Sequence, residues 1–207
     1  MGVWTDRVLP HIVDKACSMP DIVPLRREAL AGLRGRVLDV GFGSGTNLDL
    51  LPPQVAEVVA VEPSDEAWRM SSLRRGRSGA PVVRGGLDGE RLTERDASCD
   101  SAVVTFALCT IPDPVRALRE VRRVLRPGGE LHFLEHGLAP DPGVQRWQHR
   151  IDPVQKRLFG GCHLSRDIPA LVREAGFEVT DMRTDYLPGP AISKPWQHGF
   201  LGVAVPT

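Results

Sequence analysis

The chain has 207 residues, 42% hydrophobic and 25% charged, enough apolar material for one compact α/β domain and hardly for two. Its 26 basic and 26 acidic side chains balance, so no overall field draws it to nucleic acid or to an anionic membrane. Cys17, Cys99, Cys109 and Cys162 are scattered without a CxxC pair, which argues against a zinc ribbon or a disulfide framework, and no apolar run is long enough to span a bilayer. A cytoplasmic protein is expected.

Residues 1–35 read as a helical cap. Val8, Leu9, Ile12, Val13 and Ala16 recur at helical spacing, and Val23, Leu25, Leu30 and Leu33 do so more loosely. The period then changes. Arg36 to Val40 is a short apolar run stopping at glycine, the pattern of a buried strand. A helix is expected through Leu48 and Leu51, ended by Pro52-Pro53. Val58 to Val61 reads as the second strand, and Ser64 as the cap of a helix through Trp68, Met70 and Leu73. Pro81 to Arg84 gives a short third strand, and the polar segment 85–98 a loop.

Ala102 to Phe106 reads as the fourth strand, and Val115, Leu118, Val121 and Leu125 as the stripe of the next helix. Pro127-Gly128-Gly129 turns into a fifth strand at 130–134. Ser165 is expected to cap a helix reaching Ala175 and stopped by Gly176. Phe177 to Tyr186 and Gly199 to Val205 complete the set as two strands. Such alternation means a mostly parallel sheet with helices on both faces. One of the last two strands should run antiparallel at an edge, since only a turn region separates them. The expected division is 1–35 as cap, 36–136 as cofactor-binding core and 137–207 as substrate-side segment with the final strands, all within one domain.

The segment Asp39-Val40-Gly41-Phe42-Gly43-Ser44-Gly45-Thr46-Asn47 carries the most chemistry. Its glycines let the chain turn sharply and bring bare backbone against a cofactor, but the third comes one position early for a dinucleotide fingerprint. Asp39 would face the phosphates of NAD unfavourably and suits a cofactor bearing an ammonium group. Glu62, 21 residues after Gly41, ends the second strand where a carboxylate can accept ribose hydroxyls. A nicotinamide-dependent oxidoreductase is disfavoured on both counts.

Val37 to Gly45, Val58 to Pro63, Asp100 to Leu108 and Leu125 to Gly129 resemble the successive motifs of class I S-adenosylmethionine-dependent methyltransferases. The resemblance implies a Rossmann-like seven-stranded sheet of order 3-2-1-4-5-7-6. It implies that Asp39 holds the amino group of S-adenosylmethionine and that Gly41, Gly43 and the backbone at Phe42 and Ser44 wrap the methionine part. Gly45, Asn47 and Phe106 complete that set. Glu62 would bind the ribose, with Pro63 near the adenine. Gly86 stands where an adenine-contacting acid is common, leaving Leu87 or Asp88 to substitute. The product would be S-adenosylhomocysteine; the alternative is a non-catalytic S-adenosylmethionine-binding protein.

Phe106 to Ile111, Glu135-His136 and Gly160 to Arg166 are similar to a narrower group, the methyltransferase-like thiol S-methyltransferases and their bacterial relatives. The membrane-anchoring segment of its animal members is not matched, so no membrane partner is expected. The acceptor would be a small molecule, a thiol, phenol or quinone-like compound. His136, at the end of the fifth strand, is the candidate general base. His132-Phe133-Leu134-Glu135-His136 matches a zinc-protease pattern, but on a strand the two histidines lie ~13 Å apart, too far for one ion, and no metal is expected. The pocket is expected to be closed by Trp4 to Ala16, Val144 to His163 and Leu187 to Trp196.

Overall fold

Runs of valine, leucine and alanine pair into the sheet that carries everything else. The computed structural model describes all residues except Met1, Val3 and Pro188. Its strands are β1 (Gly35–Val40), β2 (Val55–Val61), β3 (Val82–Gly86), β4 (Cys99–Thr105), β5 (Leu125–His136), β6 (Phe177–Tyr186) and β7 (His198–Pro206). They lie in the order β3-β2-β1-β4-β5-β7-β6, the expected one. The first five pair in parallel, whereas β7 runs antiparallel to both β5 and β6. The antiparallel strand therefore sits one place in from the edge rather than at it; β6 is the edge.

Side chains alternate across the sheet. Val37, Val58, Ala60 and Val103 meet Leu30 and Leu33 on one face. Leu38, Val40, Val59, Val61, Ala102 and Val104 meet Leu118, Val121, Ile168 and Val172 on the other. Burying each such valine, leucine or isoleucine contributes ~1.5–3 kcal/mol, which is why a double-faced apolar strand can only be central. The covering helices include α1 (Leu9–Cys17), α2 (Val23–Leu30), α3 (Asp65–Met70), α4 (Ser72–Arg77), α5 (Pro114–Val124), α6 (Pro142–Leu158), α7 (Ile168–Glu174) and the single turn α8 (Lys194–Gln197).

Four local expectations change. The helix after the glycine loop shrinks to one turn, Leu48–Leu50, because Pro52 forces Leu51 into an extended conformation. Ser64 caps its helix as expected, accepting from the Ala67 N–H at 3.1 Å, but that helix breaks at Ser71 into α3 and α4. Asp167, not Ser165, caps α7 by accepting from Ala170, while Ser165 donates to Asp152. The 17-residue α6 fills most of Val144 to His163, a stretch expected to close the pocket and given no element in the sequence reading. It buries Gln148, Asp152 and Gln155 and leaves Trp147, Val154 and Leu158 exposed. Gln148 holds the chain after β5: its Oε1 accepts from Ala139 at 3.0 Å and its Nε2 donates to Gly137 and Pro195 carbonyls.

Candidate functional site

Strand alternation puts Asp39 on the α2 face of β1, between Leu38 and Val40 on the other face. There it is 1% exposed; Oδ2 accepts from Asn47 Nδ2 at 2.9 Å and Oδ1 has no partner. Burial pushes this carboxyl up to about 6, against the lowering pull of Asn47 and of Arg26. Arg26, 2% exposed, comes down from α2 into the same space. Its guanidinium donates to Asn47 Oδ1 at 2.6 Å, Thr105 Oγ1 at 2.9 Å and the Cys17 carbonyl at 3.2 Å, all neutral acceptors. A buried anion and a buried cation thus share one polar bridge, Asn47, without pairing to each other. Asn47, expected at the cofactor, is that bridge.

Sequence reasoning missed Arg26. Its signal was available: Ile22, Ala29, Leu30 and Leu33 are buried on the helical stripe that Arg26 interrupts. A charged residue inside an apolar stripe is costly unless it serves something.

The glycine loop turns over the end of β1 with Gly41, Gly43 and Gly45 at φ +77°, +59° and +77°. A Cβ on Gly41 would run into that of Ala107, so the loops after β1 and β4 touch only because it is glycine. Phe42 turns inward onto Trp68, ring centroids 5.6 Å apart, leaving its backbone at the site. Glu62, 6% exposed, accepts from the Gly43 N–H and the Ser64 N–H, both at 2.7 Å, which fixes the carboxylate at the end of β2 beside the loop. Burial raises its pKa, and those two N–H groups oppose the rise. Pro63 is exposed next to it. Leu87 is 57% exposed, and Asp88 turns back to accept from the Glu90 N–H at 2.9 Å, so neither is fixed toward the loop.

Across the sheet, Phe106 leaves β4 at φ +54°, a left-handed conformation that a bulky aromatic residue adopts only when its surroundings impose it. What imposes it is Glu135. This fully buried carboxylate accepts from the Ala107 and Leu108 N–H groups at 2.7 and 3.0 Å, and burial pushes it up to about 7. The Phe106 ring lies 5.7 Å from the Arg26 guanidinium and nearly parallel to His136, centroids 6.4 Å apart. His136 ends β5 as expected, half-buried. Its Nε2 lies 3.4 Å from Cys162 Sγ, so Cys162 pairs with His136 rather than with its neighbour His163. Cys109, His136 and Cys162 bring their ligand atoms within 4.8 Å of one another. Chain spacing gave no hint of this cluster.

The N-terminal cap crosses this edge. Ser44 Oγ donates to Asp14 of α1, Arg74 donates to Asp14 at 3.2 Å, and Trp4 Nε1 donates to the Leu158 carbonyl at 2.7 Å. One segment therefore ties the glycine loop to the end of α6. The open clefts at Arg173–Thr207 and at Ala97–Pro206 lie at the opposite ends of the strands.

A family model described as a methyltransferase domain matches residues 38–133, from Leu38 of β1 into β5. The chain is 32% identical over 176 residues to the rat thiol S-methyltransferase TMT1B, covering 82% of this chain and 70% of that protein. With the human TMT1B it shares 33% over 186 residues, covering 86% and 74%. The chain belongs to the S-adenosylmethionine-dependent methyltransferases. A solved S-adenosylmethionine-dependent methyltransferase from Methanosarcina mazei, 25% identical, superposes with a TM-score of 0.63 over 82% of this chain and 91% of its own. The methyltransferase fits its family's cofactor on its own geometry. Among the described residues, a carboxylate oxygen of Asp39 without a partner and a guanidinium of Arg26 without a carboxylate stand beside a bare glycine loop, matching an ammonium and a carboxylate on one ligand. Among the described residues no helix is long and apolar enough to cross a membrane.

Proposed function

We propose that this methyltransferase transfers the methyl group of S-adenosylmethionine to the sulfur of a small thiol. The cofactor supplies an electrophilic methyl on a sulfonium sulfur, so the protein's task is to bind, align and keep the site dry. In this reading Asp39 accepts the ammonium and Arg26 donates to the carboxylate, while the loop at Gly41, Phe42, Gly43, Ser44 and Gly45 lies along the methionine chain. Glu62 takes the ribose hydroxyls, and Pro63, Leu87 and Asp88 flank the adenine. Phe106, held in its strained conformation by Glu135, lies against the reacting end.

The acceptor then approaches from the side of β4 and β5. The observation that carries the thiol reading is the polar lining there: Cys109, His136 and Cys162, two of them buried thiols, form the cluster beside Phe106. The activity named for the rat and human relatives supports the same acceptor. His136 is the titratable ring on that side, placed where the acceptor's proton has to be handled. The caps at Trp4 and Asp14 close over the edge and exclude water.

Incubation with methyl-deuterated cofactor and equal concentrations of a simple thiol, phenol and quinol tests the proposal. The expected result is a labelled thioether formed in equal amount with S-adenosylhomocysteine. Label found only on oxygen overturns the thiol assignment.

A further inference from the structure

We propose that Cys109, His136 and Cys162 are three ligands of a thiophilic divalent cation of the zinc type, whose fourth position is left for the acceptor thiol. Binding of the cation stands on geometry alone; its part in catalysis rests on the thiol reading above.

The three side chains come from the loop after β4, the end of β5 and the loop after α6. Cys162 Sγ and His136 Nε2 are 3.4 Å apart, and all three ligand atoms fall within 4.8 Å of one another. Zinc bonds of about 2.3 Å to sulfur and 2.0–2.1 Å to nitrogen give tetrahedral edges of about 3.6 Å for S–N and 3.8 Å for S–S. The Cys162–His136 edge is within ~0.2 Å of that value, and drawing every ligand atom onto one ion asks a contraction of no more than ~1 Å along the other edges. Two thiolates neutralise a divalent ion, and a set of two sulfurs and one imidazole selects soft or borderline metals over magnesium or calcium. Three protein ligands with one open position is the pattern of a reactive rather than a structural zinc site.

The backbone is built to hold this arrangement. Gly160 and Gly161 take φ +60° and +93°, turning the chain sharply at the end of α6 to present Cys162. The His163 N–H then donates to the Cys109 carbonyl at 2.8 Å, tying the two cysteine segments together. The Cys109 loop is clamped from both sides. Glu135 takes the N–H groups of Ala107 and Leu108, while Arg166 donates to the carbonyls of Leu108 and, at 2.7 Å, Ile111. Fixing ligand loops through such surrounding bonds is what keeps a metal site at its geometry. Cys99, at the other end of β4, takes no part.

The position explains what the cation does. Cys109 Sγ lies 3.6 Å from the Phe106 carbonyl, which places the cluster next to the residue that the proposed function sets against the reacting end. With its Nε2 on the cation, His136 would no longer serve as the base; a thiol bound there would lose its proton to solvent, because coordination would make the thiolate the stable form at neutral pH. The thiolate lone pair forms the new carbon–sulfur bond, and the methyl–sulfonium bond breaks with its electron pair kept by the leaving sulfur. The products are a thioether, the demethylated cofactor and one proton, with no change of oxidation state.

Cobalt(II) chloride titrated into the full chain, stripped with a chelator and shown folded by circular dichroism, tests this. One equivalent should produce a sulfur-to-cobalt charge-transfer band in the near ultraviolet and tetrahedral bands in the visible. Cys109→Ser and Cys162→Ser should each weaken the charge-transfer band, and Cys99→Ser should leave it unchanged. Adding 2-mercaptoethanol should shift the visible bands, and chelation should lower kcat/KM for a thiol by about tenfold or more, restored by one equivalent of zinc. Folded protein that gives no charge-transfer band, or a band that survives in the double serine variant, overturns the site. A cobalt site whose bands ignore added thiol, or undiminished thiol methylation by the stripped chain, overturns the coordination of the acceptor while leaving the thiol assignment standing. Methylation confined to oxygen overturns that assignment and leaves the cobalt result intact.

Discussion

Asp39→Asn separates what the fold tolerates from what the cofactor needs. Holding a buried carboxyl at about 6 rather than its ordinary 3.8 costs the cofactor-free fold ~3 kcal/mol once the pH exceeds 6. Below pH 4 the group is protonated in both folded and unfolded chains and the penalty vanishes. Stability is therefore lost as the pH rises from 4 through 6, where the unfolded chain has already released its proton and the folded one has not. The amide removes this dependence. At pH 7.5 the cofactor-free variant should melt higher than the parent, by up to ~2–4 °C for each kcal/mol in a chain of this length. Near pH 4 the two should coincide.

S-adenosylmethionine should narrow this gap or close it. The ammonium loses its charged acceptor, a change of ~1.5–3 kcal/mol, so binding should weaken by about 10- to 150-fold. The parent should bind more tightly as the pH rises from 5 to 7 and Asp39 ionises, and the variant should not. Scanning calorimetry with and without cofactor at pH 4.5, 6 and 7.5 reads both effects. A variant that melts lower than the parent without cofactor at pH 7.5, or gains as much from cofactor as the parent does, refutes the reasoning.

Glu62→Ala removes the carboxylate that collects the Gly43 and Ser64 N–H groups, and titration calorimetry should find cofactor affinity reduced by about tenfold or more. Gly41→Ala combines a left-handed backbone with overlap on Ala107 and should cost ~1–3 kcal/mol in a urea titration, with cofactor binding weakened in parallel. Deleting residues 1–18 removes α1, whose only buried side chain is Leu9, so the circular dichroism of the sheet should persist while turnover is largely lost. A truncated chain with undiminished turnover would show that the cap does not close the site.

The sheet was legible because its strands are apolar on both faces, a pattern that helices of this size do not share. That Asp39, Gly41 and Glu62 would meet at one end of the sheet was legible because chemistry and offset agreed: an acid before a glycine turn, and a second acid one strand later. Helix α6 was not, because its inward stripe at Gln148, Asp152 and Gln155 is polar and its apolar side chains face out, the reverse of what hydrophobic periodicity detects. The short turn at Leu48–Leu50 shows the opposite error, an apolar run taken for a helix that two prolines do not allow. The Cys109, His136 and Cys162 cluster joins positions 26 and more residues apart, a proximity that only the register of β4 and β5 and the turn at Gly160 create.

The zwitterion reading of Asp39 and Arg26 is tested most directly by calorimetric titration of two ligands at pH 7.5. S-adenosylhomocysteine carries both the amino group and the carboxylate; 5′-methylthioadenosine keeps the adenosine and sulfur but has neither. If the buried pair holds the amino-acid end, losing two charged contacts of ~1.5–3 kcal/mol each should weaken binding by at least about 100-fold. Comparable affinities would mean that the two buried charges serve the fold and not the cofactor.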